Sequence, residues 1–165
     1  MKGLASVFLL LVFGVCPVFA DVGLRSANPE ELEVKILEKL FKDMLQRKEV
    51  NVLVLGDRKE SYERNIREYS DKLRTVESCK EANILLIAGD TKSIPEECLN
   101  KPIFSTKKEN INLFKNCLGA FYWKKGRPNI ILIKERLEER GIRLPSEYER
   151  FIEPEDRVVG VERIK

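Results

Sequence analysis

Val50-Asn51-Val52-Leu53-Val54-Leu55-Gly56-Asp57 and Asn83-Ile84-Leu85-Leu86-Ile87-Ala88-Gly89-Asp90 share one pattern: a short apolar run that stops at Gly-Asp. Runs of this length, rich in Val, Ile and Leu, suit strands buried on both faces, as in parallel sheets. Pro102 to Ser105 is a third such run, and Leu73 to Val76 is a shorter strand candidate. Between them the apolar positions switch to helical spacing. Asn28-Pro29-Glu30-Glu31 opens the first helix. Asn28 caps it, Pro29 fits its first position, and the two acids suit the positive end of the dipole. Leu32, Ile36, Leu37, Leu40, Phe41, Met44 and Leu45 then form one broad core face. Tyr62, Ile66 and Tyr69 mark a second helix, and Ile111, Phe114 and Leu118 a further helical face. This alternation predicts an α/β fold, a mostly parallel sheet flanked by helices on both faces.

The rhythm changes after Leu118. Gly119-Ala120-Phe121-Tyr122-Trp123 runs into Lys124-Lys125-Gly126-Arg127-Pro128, and Asn129 to Ile133 is apolar again. Two strands around a tight Gly-containing turn predict a C-terminal β-hairpin. A short helix carries Leu137 and stops at Gly141. Pro145-Ser146 opens a last helix with Tyr148, Phe151 and Ile152 on one side. Pro154 ends it, and 153–165 reads as a charged flexible tail. No linker or low-complexity segment breaks 21–165, which reads as a single domain.

The first 20 residues read differently. Met1-Lys2-Gly3, an apolar run from Val7 to Val15, and Pro17-Val18-Phe19-Ala20 have the order of a secretory signal peptide, cut after Ala20. Retention as an anchor is an alternative, although Gly14 and Pro17 interrupt the run. Lipidation at Cys16 is another, although Phe13-Gly14-Val15 lacks the usual leucine and small-residue pattern. The expected location is therefore the periplasm or the exterior. Export changes the reading of the thiols. Cys79, Cys98 and Cys117 remain, and three single pairings are open. Cys79–Cys98 is preferred because both flank the apolar run 83–88; the alternative is three small buried hydrophobes.

Composition removes several classes. Charged residues are 35% and hydrophobic residues 43%, against disorder and against a multi-span membrane protein. The net charge of +3 comes without a long block of one sign, so nucleic-acid binding is not expected. There is no histidine, which removes His-based triads and His-ligated zinc or haem. Any base would be a carboxylate or a lysine, types that mostly decorate surfaces, so no enzyme activity, cofactor or metal site is expected. Asp57 and Asp90 alone are a weak case for a cation. A phosphoacceptor layout of Asp90, Thr106 and Lys134 is rejected, because the first strand has no acidic pair and an exported chain meets no phosphodonor.

Two groups of residues are candidates for binding. In a parallel sheet the loops after the strands share one edge, where glycines turn sharply and helix N–H groups face a ligand. Gly56, Asp57, Arg58, Gly89, Asp90, Thr91, Ser105 and Thr106 meet that description for a small anion or polar metabolite. The more ordinary reading of the same residues is that Gly-Asp ends a strand and caps the next helix. The hairpin offers Tyr122, Trp123, Lys124, Lys125 and Arg127. Successive residues alternate in facing, so one ring is expected in the core and the other outside, beside a basic tip suited to an acidic partner surface.

Gly119 to Ile130, followed by Leu137 and by Gly141-Ile142-Arg143-Leu144-Pro145-Ser146, resembles the C-terminal half of the YfiR-like family. The strand ending at Gly56 and the run after Cys79-Lys80-Glu81-Ala82 fit the family's order, so the resemblance covers roughly 50–152. It implies a small exported, periplasmic regulator. The best-known members restrain a membrane-bound diguanylate cyclase by touching its periplasmic sensor domain, in a manner sensitive to the redox state of their disulfides. Three cysteines in place of two full pairs, and the segment 153–165, depart from the family pattern. Two functions follow as expectations. The first is a regulatory protein that binds a membrane or periplasmic partner through the hairpin and a hydrophobic helix face. The alternative is a small-ligand domain, like one lobe of a solute-binding protein, using the Gly-Asp edge.

Overall fold

The computed structural model describes residues 28–159. The expected signal segment 1–20 and the cut after Ala20 lie outside them, as does 160–165. The chain runs α1 (Pro29–Leu45), β1 (Val50–Leu55), α2 (Lys59–Tyr69), β2 (Leu73–Val76), β3 (Ile84–Ile87) and β4 (Ile103–Ser105). It continues through α3 (Asn110–Leu113), β5 (Cys117–Lys124), β6 (Arg127–Ile133), α4 (Lys134–Glu139), β7 (Ile152–Glu153) and α5 (Glu155–Val158). Short 3-10 turns lie at Glu96–Cys98 and Ser146–Phe151. The seven strands form one sheet in the order β2-β1-β3-β4-β5-β6-β7. Every pairing is parallel except the β5–β6 hairpin. This is the α/β architecture that the apolar runs imply, and no helix among the described residues is long and apolar enough to cross a membrane.

Both sheet faces are covered, and this explains the unbroken apolar runs. Val50, Val52, Val54, Ile84, Leu86 and Phe104 pack under α1 and α2, with Leu37, Leu40 and Phe41 of α1 fully buried. Leu53, Leu85, Ile87 and Ile103 face the other way, toward Ile111, Cys79 and Cys98. The Asn28 side chain accepts from Glu30 N at 3.1 Å, and its amide donates to Tyr69 on α2 at 3.0 Å. A cap of this kind contributes about 1 kcal/mol. Each fully buried Leu or Phe contributes about 1.5–3 kcal/mol, so burial rather than capping holds α1 in place. Among the described residues, the second face has one helical turn of α3, the 3-10 turn at Glu96–Cys98, the short α5 and connecting loops over it.

Three elements depart from the periodicity. Leu118 belongs to β5, not to a helical face with Ile111 and Phe114. The cause is a bulge: Ile103 pairs with Cys117 and Ser105 with Ala120, so four residues of β5 face three of β4. Leu118 and Phe121 therefore share the α1 face and Cys117 and Ala120 the other, a spacing of three that imitates a helix. The last helix is a 3-10 turn, and Ile152 leaves it to pair with Leu132 in β7. Pro154 precedes α5 rather than ending the chain's order. The flexible tail expected over 153–165 is thus replaced, as far as Val159, by a strand residue and a helical turn tied down by Arg136.

Arg136 is 5% exposed, within a stretch that reads in sequence as a solvated charged face. Its Nη1 donates to the carbonyls of Ile111 at 3.0 Å, Phe114 at 3.1 Å and Cys117 at 2.7 Å. Nε and Nη2 both donate to Glu155 Oε1, at 2.9 and 2.6 Å. One guanidinium thus joins α3, the start of β5, α4 and α5.

Candidate functional site

In this strand order the direction of winding reverses between β1 and β3, where open α/β sheets place ligands. The residues expected there do converge, but they bind one another. Asp57 N donates to Asp90 O at 2.9 Å and Arg58 N to Ala88 O at 3.1 Å. Asp57 Oδ1 accepts from Asp90 N at 2.8 Å. Gly89 N donates to Thr106 Oγ1 at 2.9 Å, Ser105 Oγ to Ile87 O at 3.3 Å, and Asn110 Nδ2 to Gly89 O at 2.9 Å. Lys107 Nζ holds both oxygens of Asp90, at 2.7 and 2.9 Å, and this bond raises the lysine pKa. Thr91 stands apart, its hydroxyl donating to Ser93 O at 3.1 Å. The Gly-Asp edge is a lock between strand ends, and the backbone N–H groups of Asp57, Arg58, Gly89 and Asp90 are spent on it.

Gly56 shows how tight that lock is. Its φ is +110°, and a Cβ there would lie 2.3 Å from Ala88 O. Gly56→Ala therefore adds backbone strain and a backbone clash together, each costing about 1–3 kcal/mol. A loss of about 2–4 kcal/mol in urea unfolding is expected on these grounds. A loss below about 0.5 kcal/mol, the ordinary surface effect, would show that the loop is free to open.

The open surface lies one step along the same edge. Glu33 of α1 is nearly buried. It accepts from the Tyr62 hydroxyl at one carboxylate oxygen and from Trp123 Nε1 at the other, at 3.1 Å. Burial and the neighbouring Glu33 carboxylate push the Tyr62 phenol well above its ordinary pKa, so it remains a donor. The Arg58 guanidinium sits 5.0 Å from the centre of the Tyr62 ring. Trp123 also stacks edge-on against Phe121 at 5.8 Å. A cleft of about 470 Å³ opens here, between Arg58, Thr106, Lys107, Lys108 and the end of β5 at Tyr122–Lys124. A second, of about 410 Å³, shares Glu33, Arg58, Tyr62 and Trp123. Nothing in sequence joins positions 33, 62 and 123; the one signal is an acid, Glu33, next to the apolar stripe of α1.

The hairpin follows its expected course. Lys125 at φ +52° and Gly126 at φ +72° form a two-residue turn of the mirror-image type that matches strand twist. Tyr122 and Trp123 do face opposite sides, but neither is a core residue. Tyr122 is half-buried on the second face, and Trp123 is 38% exposed on the α1 face. Lys124, Lys125 and Arg127 are exposed. On the α1 face, beyond Trp123, Pro128 and Ile130 run into a groove of about 670 Å³. Its walls are Ile36 of α1 and Tyr148 and Phe151 of the 3-10 turn, and its rim carries Lys35, Arg150 and the ion pair of Lys39 with Glu147, at 2.7 Å.

Cys79 and Cys98 stand at disulfide distance, with Cα atoms 5.2 Å apart. The pair lies in the loops covering the helix-poor face and is compatible with an oxidising compartment. Cys117 is buried in the same cluster, and burial pushes its thiol up to about 11, so it stays protonated and unreactive.

No family model and no curated protein matches the chain. Among solved structures, a protein of Vibrio cholerae O1 biovar El Tor described as a conserved domain protein is similar to it, with 10% identity and a TM-score of 0.48. The alignment covers 76% of this chain and 60% of that one, so the chain spans less than two thirds of the other's length. The class of protein is therefore stated by the sheet itself: an α/β domain with a closed switch point and a hairpin beside two open clefts and an apolar groove.

Proposed function

We propose that this chain is an exported regulatory protein of the YfiR-like type, working in an oxidising compartment with Cys79 and Cys98 bonded. It acts by binding a membrane-anchored partner rather than by turning over a substrate. The observation that carries this reading is the continuity of two unlike surfaces on the hairpin. The cationic tip, Lys124, Lys125 and Arg127, has no carboxylate partner among the described residues. It adjoins the exposed Trp123 and the apolar groove floored by Ile36, Pro128, Ile130 and Phe151. An aromatic anchor, an apolar slot and an adjoining tip of one charge are the parts from which a specific protein contact is built. The unpaired cationic tip beside an apolar groove suits an apolar segment flanked by acids. The extracytoplasmic sensor domain of a membrane-bound signalling protein, such as a diguanylate cyclase, is the occupant that the family resemblance supplies.

The test is the double variant Lys125→Glu/Arg127→Glu, compared with the unchanged chain in its own host. Both residues are exposed, so stability is expected to stay within about 0.5 kcal/mol. Copurification of a membrane sensor protein, identified by mass spectrometry, is expected to fall at least about tenfold, because like charges now oppose each other at the contact. Unchanged recovery of that protein would remove the hairpin from the interface.

A further inference from the structure

The proposed partner surface leaves one charged cavity unaccounted for. The cleft between the ends of β1, β4 and β5 is lined by Arg58, Lys107, Lys108 and Lys124, with Glu33 and Glu109 as its carboxylates. Glu33 is fully engaged by Tyr62 and Trp123, and Lys107 is held by Asp90. Arg58, Lys108 and Lys124 have no ion-pair partner among the described residues, against Glu109 alone as an uncommitted acid. Arg58 is further held in place over the Tyr62 ring, which orders its planar fork at the mouth of the cleft. Like charges gathered around a concave surface lose free energy that a bound anion returns, and low-dielectric walls strengthen the effect. Trp123 supplies such a wall.

We infer that the cleft between Arg58, Trp123 and Lys108 binds a small polyanion, a molecule with two or more carboxylate or phosphate groups. The cleft borders the Gly-Asp lock and shares Arg58, Thr106 and Lys107 with it, but it draws on side-chain charge rather than on the N–H groups of the lock. Arg58 and Lys108 also lie outside the hairpin surface, so this inference and the partner reading fail separately.

Trp123 is the sole tryptophan of the chain, so its fluorescence reports the site directly. Citrate and inorganic pyrophosphate, titrated at constant ionic strength, serve as probes of the two anion chemistries. At least one is expected to change the emission saturably, with a midpoint at or below about 1 mM. The response to citrate against that to pyrophosphate tells carboxylate from phosphate recognition. Arg58→Gln/Lys108→Gln is expected to raise the midpoint at least about tenfold, equivalent to about 1.4 kcal/mol. Should loss of Arg58 disturb the Tyr62 packing, Lys108→Gln alone is expected to raise it about threefold, in line with one exposed charge. Absence of saturation with both probes, or an unchanged midpoint in the variants, overturns the inference.

Discussion

Arg136→Ala is expected to lower the unfolding free energy by about 2–4 kcal/mol, chiefly the cost of leaving buried carbonyls without a donor. The side chain is 5% exposed, and its bonds to the carbonyls of Ile111 and Cys117 are buried. Three carbonyls, of Ile111, Phe114 and Cys117, lose their charged donor at once, although Phe114 O keeps the Cys117 N–H at 2.9 Å. A buried acceptor left unpaired costs about 1–3 kcal/mol, so the carbonyls alone account for most of the effect. Glu155 adds less, because its side chain is 39% exposed and water replaces the lost contact. Glu155→Gln is accordingly expected to cost only about 1 kcal/mol. Urea denaturation checks both, and a loss below about 1 kcal/mol for Arg136→Ala would mean that the clamp does not hold the C-terminal segment.

Removing the Cys79–Cys98 link is the second large effect expected. The two residues are 19 apart in sequence. Closing a loop of this size removes denatured-state entropy worth about 3 kcal/mol. The location makes the loss hard to absorb. Among the described residues, this sheet face carries one turn of α3, the 3-10 turn at Glu96–Cys98, the short α5 and loops, so the bridge stands in for a long helix. Cys79→Ser/Cys98→Ser and reductant on the unchanged chain are expected to lower stability alike. Cys117→Ser is expected to leave the response to reductant intact, because that thiol has no partner among the described residues. Thiol titration of a chain spanning 21–165, oxidised and in denaturant, should find one free group; three would contradict the pairing.

The strands most legible in the sequence are those buried on both faces. β1, β3 and β4 show as unbroken apolar runs because each side chain meets a covered face, whichever way it points. The start of α1 is equally plain, since its cap and first-turn chemistry are local. Legibility fails where geometry is non-local or too short. The bulge in β5 gives Leu118 and Phe121 a helical spacing within a strand. β7 is two residues long and has no period to detect. Arg136 sits among Lys134, Glu135 and Glu138, where charge signals solvent, yet the turn of α4 carries it under the loop before β5.

The candidate sites divide in the same way. The repeated Gly-Asp was visible, and the two strand ends do meet. That they would spend their donors on each other depends on the register of β1 against β3, which no local pattern encodes. The Glu33–Tyr62–Trp123 contact joins α1, α2 and β5 and appears only once the sheet order is known. The hairpin needed no such knowledge, because its turn and its charges are contiguous in the chain.

The most direct test of the regulatory reading is site-specific photo-crosslinking in the living host. A crosslinker would replace Lys125 or Pro128 on the hairpin, or Lys80 before β3, at the opposite end of the parallel strands. The account predicts one adduct with a membrane protein bearing an extracytoplasmic domain, formed from positions 125 and 128 and absent from 80. Adducts of equal yield from all three positions, or none from the hairpin, would contradict it.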